Sequence, residues 1–137
     1  MAPRFDLVVI GAGSGGLAAA SFAARLGARV ALVERDRPGG DCLYTGCVPS
    51  KTLLRVARLA HEARHGDAFG LVACNPAVDL ARVMAHVQQT IERVYQYENP
   101  ASLTAAGVDY RQGAARFLDP HTVAVGEDRL RARRHGA

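Results

Sequence analysis

The sequence predicts an α/β fold that starts with two parallel strands joined by a helix, and three observations support this prediction. An apolar run rich in β-branched residues, 7–10, stops at a glycine, as a buried parallel strand does. A helix is expected over 14–26, because Gly27 suits the positive φ that often follows a helix end. A second buried strand is expected over 29–33. The connection is long enough for a parallel crossover, so 6–34 is predicted to be a βαβ unit.

The rest of the chain is predicted to add helices and a few short strands. Residues 35–46 are rich in Gly, Asp and Pro and indicate a loop. Pro49 suits the first turn of a helix that ends near Gly66, and apolar residues at helical spacing predict a longer amphipathic helix over 80–94. The remaining predicted elements are a short helix over 100–106 and strands over 108–110, 115–118 and 122–125. No repeat or low-complexity linker occurs, so 1–137 is predicted to form one domain.

Composition describes a globular chain with a locally basic end. The 137 residues are 49% hydrophobic and 22% charged, which excludes disordered and collagen-like classes. Four arginines crowd the end of the chain after the last acid, Asp128, and they account for the whole net charge of +4. They are Arg129, Arg131, Arg133 and Arg134. A nucleic-acid interface would distribute its basic residues over the fold, so the sequence predicts a solvated end and no nucleic-acid partner.

The uncharged stretch and the cysteines bear on location. Residues 7–24 carry no charge and reach the lower limit of a membrane span, but four of them are glycine, which would open the backbone in lipid and interrupt the core of a signal peptide. We therefore expect no membrane partner and a cytoplasmic location. The three cysteines are an odd number, so local redox or metal chemistry is a better explanation than a secreted disulfide scaffold.

A glycine-rich turn lies between the first predicted strand and the first predicted helix. In this position GxGxxG lets the chain turn, lets the backbone approach a diphosphate and lets the helix pack on the strand, while the helix N–H groups attract the anion. Glu34, 18 residues beyond Gly16, can accept hydrogen bonds from ribose hydroxyls and would repel a 2′-phosphate. The sequence thus predicts dinucleotide binding. The predicted residues of the turn are Gly11, Gly13, Ser14, Gly15 and Gly16.

Two cysteines lie five residues apart in a setting that suits redox chemistry. In a regular helix such residues rise about 7.5 Å and point about 140° apart, too far for a disulfide, so the chain must bend between Cys42 and Cys47. Gly46 allows the bend, and Pro49 starts a helix just beyond it. We expect the helix dipole to lower the pKa of Cys47.

These motifs resemble one known family. GGDCLYTGCVPSK at 39–51, with GAGSGG upstream and GAARFLDPHTVAV downstream, is similar to the flavin-dependent pyridine nucleotide disulfide oxidoreductases, the group of dihydrolipoamide dehydrogenase, glutathione reductase and mercuric reductase. The resemblance covers nearly the whole chain in order. It implies a Rossmann-like FAD-binding domain with a parallel sheet, long amphipathic helices and a small β-meander.

The resemblance also implies roles for individual residues. Glu34 would bind the adenosine ribose of FAD, Cys42 would exchange with substrate, and Cys47 would face the flavin and form a charge-transfer contact. Lys51 would lie near the flavin ring, where its cation helps stabilise the reduced, anionic form. Gly113 would touch FAD through its backbone. Electrons would pass between NAD(P)H, FAD, the disulfide and a disulfide, dithiol or metal-ion substrate.

The family is longer than this chain. Its members run to several hundred residues, with a nicotinamide domain and an interface domain that completes the site of the other subunit in a homodimer. Residues 1–137 would be the N-terminal FAD-binding domain, incomplete at its C-terminus, with those two domains absent. We therefore expect a fragment without turnover of its own.

Two other functions remain open on the sequence. One is a small nucleotide-binding module without turnover. The other is a zinc protein, because 61–65 spells HExxH and the four side chains Cys42, Cys47, His61 and His65 imitate a zinc-finger set. A helix starting near Pro49 would put Cys47 and His61 about 20 Å apart, beyond any shared ion. No metal ligand is therefore assigned.

Overall fold

The computed structural model describes residues 4–132, and the chain divides into two compact units. One unit combines the segments up to Gly40 and from Tyr95 onward, and the other runs from Asp41 to Val94. The strands are β1 (Arg4–Phe5), β2 (Leu7–Ile10), β3 (Val30–Glu34), β4 (Val108–Gln112), β5 (Ala115–Asp119), β6 (Thr122–Val125) and β7 (Asp128–Ala132). The helices are α1 (Ser14–Arg25), α2 (Gly40–Tyr44), α3 (Cys47–Arg64), α4 (Leu80–Glu98) and α5 (Pro100–Ala105), with a 3₁₀ turn at Gly66–Phe69.

The first unit contains two sheets. One is a parallel sheet in the order β2-β3-β4, in which Val9 pairs with Leu32 and Leu32 pairs with Tyr110. The other has the order β1-β7-β6-β5, where β5, β6 and β7 form an antiparallel meander and β1 pairs with β7 in parallel. The predicted class, a Rossmann-like domain with a parallel sheet, long helices and a small β-meander, is confirmed.

The central strand β3 explains why its sequence is apolar throughout. Val30 and Leu32 face a cluster of buried residues that includes parts of α1 and α5, whereas Ala31 and Val33 face a second cluster shared with the meander. A strand covered on both faces has no side that can be polar, and all four residues are fully buried. The strand therefore ends where the first charged residue, Glu34, reaches the edge of the sheet.

The end of the described chain is a β-strand that carries exposed arginines. Arg129 and Arg131 lie on β7, an element that the sequence did not predict. The burial of this strand alternates, so that the arginines are exposed while Leu130 between them is completely buried. Arg133 and Arg134 lie outside the described residues.

The second unit is mostly helical and also differs in detail. The predicted loop 35–46 contains the short helix α2, and α3 begins at Cys47 rather than at Pro49. Along residues 4–132 no helix is both long and apolar enough to cross a lipid bilayer. The uncharged stretch 7–24 is instead divided between β2, the glycine turn and α1.

Candidate cofactor cleft and thiol pair

The glycine turn in the first unit depends on glycine at two positions, for two different reasons. Gly11 has a φ of 95°, in the left-handed region that favours glycine, and its N–H donates to the carbonyl of Val33 at 2.8 Å. A Cβ on Gly16 would overlap the carbonyl oxygen of Gly11. The first glycine thus makes the turn, and the third lets α1 lie directly against it.

The amino end of α1 is open to an anion. Its N-cap, Gly13, supplies no side-chain hydrogen bond, and the first turn of the helix contains no acid. A Cβ placed on Gly13 or on Gly15 would meet nothing within 4 Å, so no other part of the described chain fills the side-chain positions of these two residues. Helix N–H groups without a side-chain acceptor and with the positive end of the helix dipole behind them suit a diphosphate.

The carboxylate of Glu34 is bound to the glycine turn by a hydrogen bond from the backbone. Its Oε2 accepts from the backbone N–H of Ala12 at 2.7 Å, and its Oε1 accepts from the N–H of Asp36 at 2.9 Å. An ionised carboxylate offers about four acceptor positions, so two remain for ribose hydroxyls. The half-buried carboxylate is therefore oriented before any ligand arrives.

Gly113 lies beside Glu34 at the end of the neighbouring strand. Its N–H donates to the backbone carbonyl of Glu34 at 2.8 Å, and a Cβ at this position would come within 2.8 Å of Cγ1 of Val125. Its φ of 150° is also unfavourable for other residues. A cavity of about 410 Å³ opens here, and three residues predicted from the sequence, Gly11, Glu34 and Gly113, line it. The other lining residues are Ile10, Val33, Arg35, Ala114 and Ala115.

Three residues near this cleft were not singled out in the sequence. Arg35 lines the cavity next to Glu34. Gly39 donates its N–H to the carbonyl of Ala12 at 2.8 Å, and a Cβ on Gly40 would lie 2.9 Å from Cα of Gly13. The adjacent Gly39 and Gly40 were a visible signal, but only the fold shows that they pack against the glycine turn.

The two cysteines of the second unit lie in contact. The bend predicted between them is present, because α2 ends at Tyr44 and α3 starts at Cys47. The carbonyl of Asp41 accepts from the N–H groups of Thr45 and Gly46, which closes the turn between the helices. A Cβ on Gly46 would lie 3.0 Å from that carbonyl oxygen, so the turn is too tight for most residues. The result is a side-chain hydrogen bond between Cys42 and Cys47.

The pKa of Cys47 moves in the direction opposite to the sequence expectation. The hydrogen bond with Cys42 raises the pKa of Cys47 above its ordinary value, and desolvation and the charge of Cys42 raise it further. Lys51, one turn along α3, lowers it, but by less. The expected fall was wrong because the neighbouring thiol outweighs the cation. Ionisation of Cys47 is therefore coupled to Cys42.

We predict that removal of Cys42 and removal of Lys51 shift the pKa of Cys47 in opposite directions. The Cys42→Ala variant loses the hydrogen bond and the like charge that raise the pKa of Cys47, so the pH midpoint of its alkylation by iodoacetamide should fall. The Lys51→Met variant loses the stabilising cation, so the midpoint should rise. Reaction with iodoacetamide follows the thiolate fraction and can be measured by peptide mass spectrometry. Arg55→Met is the control for loss of a cation from the same helix, and equal midpoints in all variants would contradict the coupling.

The zinc hypothesis gains no support from the geometry. Among residues 4–132, no three or more His, Cys, Asp or Glu side chains are grouped closely enough to hold a metal ion. Cys42 contacts Cys47, and His61 stacks on His65, but these are two separate pairs. Glu62 of the HExxH motif is bound to Arg58 at 2.8 Å.

The fold and the glycine turn define a dinucleotide-binding α/β protein that also carries a pair of adjacent thiols. A family model described as pyridine nucleotide-disulphide oxidoreductase matches residues 5–134, and the chain belongs to this family. FAD and NAD(P)H are the cofactors of the family.

Curated relatives agree with this assignment. The chain is 46% identical over 94 residues to dihydrolipoyl dehydrogenase from Zymomonas mobilis, which is 69% of this chain and 20% of that protein. It is 33% identical over 131 residues to mercuric reductase from Lysinibacillus sphaericus, or 96% of this chain and 24% of that protein. Glutathione reductase from Nostoc is 36% identical over 128 residues, or 93% and 28%. The chain thus spans about a quarter of the length of these relatives.

Proposed function

We propose that this chain is the FAD-binding part of a flavin-dependent oxidoreductase that acts through Cys42 and Cys47. The observation that carries the proposal is the cleft of the first unit, which joins Gly11, Glu34 and Gly113. Gly11 belongs to the same glycine turn as Gly13, the N-cap of α1. The helix N–H groups suit the diphosphate of a dinucleotide, and the oriented carboxylate of Glu34 suits its ribose. The backbone at Gly113 has no side chain and lets the ligand approach closely. The residues present therefore fit FAD.

Each residue of the cleft has a separate task in this proposal. The N–H groups that follow Gly13, including those of Ser14, Gly15 and Gly16, bind the diphosphate. Glu34 accepts hydrogen bonds from the adenosine ribose with the acceptor positions that Ala12 and Asp36 leave open. Gly113 keeps the wall of the cleft free of a side chain. When bound, FAD supplies the two-electron chemistry that links NAD(P)H to a disulfide.

The thiols exchange with the substrate in two steps that balance. The Cys42 thiolate attacks a substrate disulfide, forms a mixed disulfide and expels one substrate thiolate, which takes up a proton. The Cys47 thiolate then attacks the sulfur of Cys42, closes the Cys42–Cys47 disulfide and expels the second substrate thiolate, which also takes up a proton. The substrate gains two electrons and two protons, and the cysteine pair loses them. Lys51 favours the Cys47 thiolate that the second step requires.

The substrate class follows from this exchange. A disulfide or dithiol reacts by the steps above, and a soft metal ion would bind to the same thiolates. The names of the relatives, dihydrolipoyl dehydrogenase, glutathione reductase and mercuric reductase, include all three kinds. We propose one of these classes for the whole protein, with NAD(P)H as its other substrate and a homodimer as its assembly.

We predict that the purified chain binds FAD through the adenosine half. FAD fluorescence should be quenched on addition of the protein, and ADP should compete, because the glycine turn and Glu34 contact only the diphosphate and the ribose. FMN, which lacks the adenosine, should bind at least about ten-fold more weakly, since it cannot reach the charged acceptor. Fluorescence titration measures all three ligands.

The alternatives give different results in the same titration. Binding of ADP without FAD would favour a nucleotide-binding module with no flavin chemistry. Equal binding of FAD and FMN would contradict the assignment of the cleft to adenosine. Absence of FAD, FMN and ADP binding by a folded chain would overturn the proposed function.

A further inference from the structure

The histidine pair at the end of α3 is not used by the proposed function. His61 lies in the last turn of α3, and His65, four residues later, is the C-cap of this helix, with its ring stacked on that of His61. The ring centroids are 4.2 Å apart with an interplanar angle of 28°, and both residues are exposed. From these two rings we infer that His61 and His65 form a binding site for a divalent transition-metal ion, independent of the cofactor cleft and of the thiols.

The ring of His65 is already oriented as that of a metal ligand. Its Nδ1 lies 2.8 Å from the backbone carbonyl oxygen of His61. A carbonyl oxygen only accepts, so Nδ1 carries the proton and Nε2 of the neutral ring keeps its lone pair. Histidine ligands commonly donate their other N–H to a carbonyl in this way, which fixes the tautomer and the direction of the ring. The remaining nitrogen faces away from the backbone and is available to an ion.

The backbone that carries His65 is fixed by the segment that follows. The N–H of His65 donates to the carbonyls of His61 and Glu62 at the end of the helix. The N–H of Cys74 donates to the carbonyl of Ala63 at 2.9 Å, which ties the returning chain to the same turn. The stacked rings do not yet point their nitrogens at one position. Metal binding therefore requires the side chain of His61 to rotate until its nitrogen and Nε2 of His65 both lie 2.0–2.1 Å from the ion, the usual Zn–N distance.

The charges around the pair permit a cation. His61 lies in the last turn of the 18-residue helix α3 and His65 caps it, so both are at the end where the helix dipole favours positive charge. Two arginines close to the pair in sequence have other partners: Arg58 pairs with Glu62 at 2.8 Å, and Arg64 donates to Oδ1 of Asn75 at 2.8 Å. Glu62 is engaged by Arg58, so the site offers two imidazole nitrogens and leaves the other positions of the ion to water.

This ligand set selects the class of ion. Imidazole suits copper, nickel and zinc, whereas magnesium and calcium prefer oxygen. A catalytic zinc usually has three protein ligands, and the described residues bring no third ligand to the pair. We therefore expect reversible binding of a borderline ion such as Ni²⁺ and no hydrolytic activity.

The test is a calorimetric titration of the tag-free chain with Ni²⁺. Because thiolates also bind such ions, it is carried out in a Cys42→Ser, Cys47→Ser, Cys74→Ser background, with the alkylated natural chain as a second sample if that background does not fold. We expect one bound ion per chain. His61→Ala or His65→Ala should each weaken binding by about 100-fold or more, because the remaining imidazole has lost the chelating partner held beside it.

The matched control is His86→Ala, which removes a histidine from α4 and should leave Ni²⁺ binding unchanged. The inference is overturned if the background binds no Ni²⁺, if both single variants bind like the parent, or if only His86→Ala loses binding. An increase in Tm with Ni²⁺ that is present in the parent and absent in both His variants gives the same answer without calorimetry. In the natural chain, His61→Ala, His65→Ala and His86→Ala should leave FAD binding unchanged, so a failure here is distinct from a failure of the proposed function.

Discussion

The Gly16→Ala variant is expected to lose FAD binding and to be less stable than the parent by roughly 3 kcal/mol or more, at the upper end of the range for overpacked positions. The added Cβ would overlap the carbonyl oxygen of Gly11, which is backbone and cannot rotate away. Either α1 moves off the turn or the turn opens, and both changes separate the helix N–H groups from the diphosphate. Urea unfolding followed by circular dichroism measures the stability, and quenching of FAD fluorescence measures the binding.

The control for stability is Gly15→Ala in the same helix. A Cβ on Gly15 meets nothing within 4 Å, so this variant gains helix propensity without a collision and should be as stable as the parent or slightly more stable, by about 0.5–1 kcal/mol. Gly16→Ala with the stability of Gly15→Ala would show that α1 does not pack as closely on the turn as the structure has it. A stable Gly16→Ala variant with full FAD affinity would also contradict the assigned role of the helix end.

The glycine turn was predictable because its signals are local. A strand that stops at glycine, three glycines at fixed spacing and a second strand that ends in an acid all lie within 35 residues. The bounds of α1 and β3 accordingly agree with the prediction to within one residue. Local patterns are sufficient here because each element pairs with its neighbour in sequence.

The elements that were missed depend on partners far along the chain. Strand β7 contains a single buried residue, Leu130, between arginines, and it is stabilised by pairing with β6 and with β1, more than 120 residues away. Helix α2 starts at Gly40, a residue type that normally disfavours a helix, but glycine is favoured here because its φ is 56° and a Cβ would lie 2.9 Å from Cα of Gly13. Tertiary contacts explain both β7 and α2, and the periodicity of the sequence does not reveal such contacts.

The chemistry of the site was likewise predictable where it depends on local spacing, and not where it depends on contacts between distant residues. The spacing of Cys42 and Cys47 indicated that the chain must bend between them, because a straight helix would separate the side chains. The direction of the pKa shift of Cys47 was not predictable, since it results from competition between Cys42 and Lys51 through space. The hydrogen bond that the N–H of Ala12 donates to the carboxylate of Glu34 joins residues 22 positions apart, and it likewise appears only in the fold.

The second large effect is expected in the Glu34→Gln variant, because this change disturbs the hydrogen bonds that the Glu34 carboxylate accepts from the backbone. The amide keeps the shape of the carboxylate but has one acceptor oxygen in place of two, so one of the N–H groups of Ala12 and Asp36 loses its partner. Ala12 is completely buried, and an unpaired buried N–H costs about 1–3 kcal/mol. Loss of the charged acceptor should also weaken FAD binding by about ten-fold or more. Urea unfolding and FAD titration measure the two losses separately.

The matched control is Glu127→Gln, which makes the same change of charge at an exposed position between β6 and β7 and should alter neither quantity. Titration with ADP and with its 2′-phosphorylated analogue tests whether the carboxylate contacts the ribose. In the parent the negative charge of Glu34 should disfavour the 2′-phosphate, and Glu34→Gln should reduce this preference because the repulsion is gone. A preference that is the same in both proteins would place the 2′ position away from Glu34, and the carboxylate would then act on the glycine turn alone.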